Sequence, residues 1–140
     1  MASRLTKSGI TDWALRLVPA AILGMAVPAK FTGDPGAIAV FTQLGAEPFG
    51  RLATGGFELL AVALLLVPAL AIYGAMLAAG LMSGAILSHL VVLGVAPGGD
   101  PSMFAMAVVA FVIAWVVIWR RRREIPLIGQ FGQADEASAL

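Results

Sequence analysis

A chain of 140 residues that is 60% hydrophobic and only 12% charged, with a mean hydropathy of +0.95, departs from the roughly 45–50% apolar and about 25% charged make-up of a soluble domain. An ordinary water-soluble fold is excluded, and the apolar residues suffice for four bilayer spans of about 20 residues each. With Cys 0, His 1 and a net charge of +1, the chain has no disulfide, thiolate nucleophile, multi-histidine metal cage or bis-histidine haem, and it is not a basic nucleic-acid binder.

The first apolar run extends over 13–30, interrupted by Arg16 near its start and carrying Pro19 and Pro28. Arg4 and Lys7 ahead of it, and Val27-Pro28-Ala29 within it, imitate a cleavable leader, but the segment is read as a retained span. Residues 1–12 form a short N-terminus. Next, Asp34 suits a helix N-cap, Pro35 the first helical position and Gly45 the position past the end. Ile38, Phe41 and Leu44 recur every three residues, so a short amphipathic helix at the membrane interface is expected. The second span covers 50–67, apolar but for Arg51, Thr54 and Glu58.

Pro68 separates this run from another at 70–95. One helix across both would be about 69 Å long, against a hydrocarbon core of ~30 Å. Two spans and a very tight turn over 67–70 follow. A breaker cluster at 96–101 ends with Asp100-Pro101-Ser102, a cap and helix start, and the fourth span covers 103–119. It stops at Arg120, Arg121, Arg122 and Arg123, which open a basic tail over 120–140. Four spans place both termini on one side. The arginine run together with Arg4, Lys7 and Arg16 puts that side in the cytoplasm, with Trp13, Trp115 and Trp119 at its headgroup level. A bacterial-type inner membrane suits such tight loops. The expected fold is all-α, an integral membrane four-helix bundle with one interfacial helix.

Polar residues inside the spans are the candidates for function. Lys30 lies at the outer end of span one, Glu58 about 10 Å below Arg51 in span two, and His89 some 8 Å short of the outer end of span three. A carboxylate in the bilayer costs at least ~2.5 kcal/mol and faces a partner or a wet cavity. Glu58 is therefore the foremost candidate, with His89 and Lys30 as its expected partners and Arg51 and Thr54 behind them. A carboxylate facing an imidazole could bind a quinone carbonyl or pass a proton. The competing reading is structural: the pair clamps helices, Lys30 and Arg51 snorkel, and Arg16 anchors the inner face. Gly80, Gly84 and Ser88 form a small-residue stripe of the kind that packs membrane helices closely, expected inside the bundle rather than between protomers. The arginine run faces anionic lipid headgroups. No metal site is expected.

A repeated tetrapeptide, Leu17-Val18-Pro19-Ala20 and Leu66-Val67-Pro68-Ala69, hints at duplication. More telling is the series Lys30-Phe31-Thr32-Gly33, Leu44-Gly45, Thr54-Gly55-Gly56-Phe57-Glu58-Leu59-Leu60, Leu64-Leu65-Leu66-Val67-Pro68, Gly74-Ala75 and Gly84-Ala85-Ile86-Leu87-Ser88-His89-Leu90. From about Leu15 to Val95 the chain resembles the DoxX-like family of small four-helix membrane proteins. That resemblance implies a four-helix bundle with Arg16, Lys30, Glu58 and His89 at positions where the family carries those residue types. It also implies a link to quinones, because relatives include the membrane subunit of a thiosulfate:quinone oxidoreductase. The missing cysteines set this chain apart from thiol-handling relatives. The expected function is a membrane subunit or accessory protein of a quinone-linked oxidoreductase, with no intrinsic cofactor, a bound quinone at the outer polar cluster, and the bilayer and a larger complex as partners. A structural docking subunit is the alternative.

Overall fold

The computed structural model describes residues 2–125, with side chains from Gly9 onward; the side chains of Arg4 and Lys7, and the tail beyond 125, lie outside what is described. Five helices occur: α1 (Ala2–Thr32), α2 (Pro35–Gln43), α3 (Phe49–Leu66), α4 (Ala71–Ser88) and α5 (Ser102–Arg121). No strand is found among the described residues. Four segments, Gly9–Thr32, Phe49–Leu66, Pro68–Leu93 and Ser102–Glu124, are long and apolar enough to cross a bilayer. The fold is an all-α four-helix membrane bundle, with α2 as the short helix between the first two spans.

Local chemistry sets the helix ends. Asp34 Oδ1 accepts from the N–H groups of Gly36 at 2.9 Å and Ala37 at 3.2 Å, so it caps α2 with Pro35 as the first helical residue. Gly45 follows α2 with φ +67°, a conformation that costs other residues about 1–2 kcal/mol. The face that α2 turns inward is Ala37, Val40, Phe41 and Leu44; Ile38 is exposed, because the 3.6-residue period carries it off the every-third-residue line. At the next corner Pro68 has no N–H to offer Leu64, whose carbonyl takes the Val67 N–H at 3.3 Å instead, and Pro68–Leu70 forms a single 3-10 turn. Asp100 accepts from both the N–H and the hydroxyl of Ser102 at 2.9 Å, which starts α5. The repeated tetrapeptides end up in unlike places, Pro19 inside α1 and Pro68 in the turn.

The long helices close a ring in which α1 packs on α3, α3 on α4, α4 on α5 and α5 on α1. Alanine dominates the interior: Ala61, Ala75, Ala78, Ala110 and Ala114 are fully enclosed, with Leu23, Leu65, Ile72 and Val117 among the few large side chains buried beside them. Small side chains let backbones approach closely, the packing available where lipid removes the hydrophobic drive between helices. Bulky apolar groups point outward, Phe49, Leu87, Val91 and Trp119 among them, as a lipid-facing surface requires.

The small-residue stripe differs from expectation. Gly80 and Gly84 are exposed, and a Cβ on either would meet nothing within 4 Å, so they do not pack within the bundle; Ser88 donates its hydroxyl to the Gly84 carbonyl of its own helix. The close approach lies at Gly74 instead. A Cβ there would sit 2.6 Å from Leu65 N and 2.9 Å from Leu64 C, and α3 and α4 touch backbone to backbone at that point.

Candidate functional site

At the end of the bundle reached by the C-terminus of α1, two ion pairs are linked through Lys30. Its Nζ lies 2.9 Å from Glu58 Oε2, with the two side chains 13% and 5% exposed. The lysine leaves the last turn of α1 and runs back toward the middle of the bundle, the direction that helical side chains take. It passes Gly55, where a Cβ would come within 3.1 Å of Lys30 Cβ. Arg51, one turn nearer the end of the bundle, donates to both Glu47 oxygens from Nε at 2.9 Å and to Oε1 from Nη2 at 2.7 Å, and its Nη1 donates to the Lys30 carbonyl. Two cations and two carboxylates thus cancel. Lys30 and Arg51 do not snorkel outward.

Glu58 Oε2 is sealed from solvent, and its sole described partner is the Lys30 ammonium 2.9 Å away. Thr54, half-buried on the same helix face, also differs from its peers. The hydroxyls of Thr32, Thr42, Ser83 and Ser88 each donate to a carbonyl four residues back, whereas that of Thr54 bonds to no described group.

His89 stands apart from Glu58. The backbone contact of Gly74 with Leu64 and Leu65 sets the antiparallel register of α3 and α4, and by it His89 is level with Phe49 and Gly50. Glu58 lies eight residues further along α3, about 12 Å at the helical rise. The two do not pair. Instead His89 begins a five-residue π turn, His89–Leu93, and its Nδ1 is 2.9 Å from the Gly94 carbonyl. The ring meets Phe104 of α5 edge-on, centroids 5.7 Å apart. Helix α2 lies across this end and touches α1, α3 and the π turn.

A second network closes the opposite end, around a residue that sequence reasoning passed over. Asp12 accepts from Arg16 Nε at 3.0 Å and from Arg121 Nε and Nη2 at 3.0 and 2.7 Å. Arg16, 1% exposed, donates to the Leu65 carbonyl at 2.7 Å and stacks 3.9 Å from the Trp13 ring. Arg121 donates to the Pro68 carbonyl at 2.8 Å and pairs with Glu124. Both arginines therefore face the protein, and Arg16 is an interior residue, not a surface anchor. Arg122 lies over Trp119 and donates to its carbonyl; Arg120 borders an open depression with Gly9, Asp12, Arg121 and Glu124. The spacing of four in Asp12–Arg16 and Glu47–Arg51 was a legible signal of helical ion pairing. Among the described residues no group of three or more acidic or histidine side chains could hold a metal ion.

Comparison with protein families, curated proteins and solved structures gave no match. The likeness to the DoxX-like family rests on the motifs alone.

Proposed function

We propose that this chain is an integral membrane accessory subunit of a quinone-linked oxidoreductase system, whose end bearing Lys30, Glu58 and His89 takes the headgroup of a quinone or similar amphiphile. The observation that carries this reading is the buried Lys30–Glu58 pair, in which the sealed Glu58 Oε2 has the ammonium as its sole described partner. An intramembrane carboxylate is costly enough that one so placed is a functional candidate by default. Thr54 and His89, each with a polar atom lacking a described partner at the same end, support it, as do the DoxX-like motifs. A bound quinone would supply electron-carrying capacity. The protein's part is to bind and orient it, and the cysteine-free chain acts with a larger partner rather than as an enzyme alone. On this reading the Asp12–Arg121 end is cytoplasmic in a bacterial inner membrane, with the exposed Arg120 and Arg123 against anionic headgroups.

The structural docking reading has its own support. Lys30, Glu47, Arg51 and Glu58 neutralise one another at one end, as Asp12, Arg16, Arg121 and Glu124 do at the other, and Gly80 and Gly84 leave an open stripe on the outside of α4.

Purification from native membrane in mild detergent, followed by mass spectrometry of proteins, lipids and quinones, separates the two. Quinone retained by the wild type and lost in Glu58→Gln and His89→Ala supports the binding site. A stoichiometric partner protein with no quinone, unaffected by either change, replaces it with the docking role. Reporter fusions at each terminus test orientation: both ends active only on the cytoplasmic side is the expected pattern.

A further inference from the structure

The hydrogen bond from His89 fixes which kind of ligand atom its ring can meet. A carbonyl oxygen only accepts, so at 2.9 Å from Gly94 O it is Nδ1 that carries the hydrogen, and the neutral imidazole keeps a lone pair on Nε2. The arrangement is built in. The π turn brings the chain back over its own start, and Gly94, with φ +81°, closes it so that its carbonyl returns to the ring. Phe104 holds the ring plane from the side. The residue as a whole is 4% exposed, and Nε2 bonds to no described group. Among the described residues Glu58 Oε2 alone is both sealed and short of an aligned hydrogen bond, so Nε2 keeps some exposed surface.

The cations nearby do not alter this polarity, since Arg51 is engaged by Glu47 and the Lys30 carbonyl, and Lys30 faces Glu58. We infer that His89 is a specificity-determining residue of the proposed quinone site: Nε2 accepts a hydrogen bond from a hydroxyl, so the site selects the reduced hydroquinone over the oxidised quinone. A quinone carbonyl at the same place would set lone pair against lone pair. This inference rests on the quinone reading above and reverses one detail expected from sequence, in which a carbonyl met the imidazole.

The test is equilibrium binding of decylubiquinol and decylubiquinone to the full chain in detergent, anaerobically at pH 8. Wild type is expected to bind the reduced form about tenfold more tightly, the factor that one hydrogen bond supplies. His89→Asn keeps an amide N–H for Gly94 and removes the distal acceptor; it is expected to bring the ratio of the two affinities to within about twofold. Equal binding of the two forms by wild type, or tighter binding of the oxidised form, overturns the inference and leaves the quinone reading standing. An unchanged preference in a folded His89→Asn protein also overturns it. Binding of neither form overturns the quinone reading itself. Should the variant not fold, the wild-type ratio still decides.

Discussion

Lys30 and Glu58 hold opposite charges inside a bundle where neither can be left alone. Removing one member of a buried pair strands the other and costs about 3 kcal/mol or more, whereas replacing both by neutral groups of similar shape is far milder. Lys30→Met and Glu58→Gln are each expected to lower stability by about that amount, and the double variant to recover more than half of it, in a double-mutant cycle measured by detergent denaturation. Asp100 is a smaller case with a definite sign. The N–H and hydroxyl of Ser102 hold its carboxyl below the usual carboxylate range, so its contribution to starting α5 is present above the ordinary value and disappears as pH falls through the lowered one. Ser102→Ala is expected to move the carboxyl titration, followed by NMR, back toward about 3.9. At this scale the sequence shows the charged residues but pairs them incompletely. Asp12 with Arg16 and Glu47 with Arg51 are spaced for one helix face, whereas Asp12 with Arg121 spans 109 positions and is set by packing alone.

Helix ends were legible because they are local. Asp34-Pro35, Gly45, Pro68 and Asp100-Pro101 each act through a dihedral or a missing N–H within a few residues, and each ends or begins a helix where the structure has one. Which side of α4 faces inward was not legible, because α4 is apolar all round, and three glycines on it offer equal invitations. The contact of α3 with Gly74 decides the matter. Gly74→Ala is expected to destabilise the bundle by about 1–3 kcal/mol, as overpacking against a fixed backbone does. Gly80→Ala, with open space around it, is expected to be neutral or to gain up to about 1 kcal/mol from helix propensity. Thermal melts followed by circular dichroism distinguish the two. The depth of His89 was hidden for a related reason: helical rise locates it along α4 but says nothing of the register between α3 and α4.

Across the whole molecule, the two charge networks sit at opposite ends of an alanine-lined ring and tie its helices in different combinations. The Lys30–Glu58 network joins α1 to α3, while the Asp12 network joins α1, α5 and the corner between α3 and α4. Neutralising Asp12 as Asn leaves Arg16 and Arg121 without their shared counter-charge. Faster hydrogen exchange near Arg121 and in the last turn of α3 is the expected result, with the region around Glu58 unchanged.

The Asp12 network also bears on how the protein is assembled in the membrane. At the corner around Pro68 the carbonyls of Leu65 and Pro68 accept from Arg16 of the first span and Arg121 of the fourth. During synthesis the α3–α4 hairpin therefore emerges with one of these donors already made and the other still to come. The clamp on its corner is complete only once the fourth span has arrived.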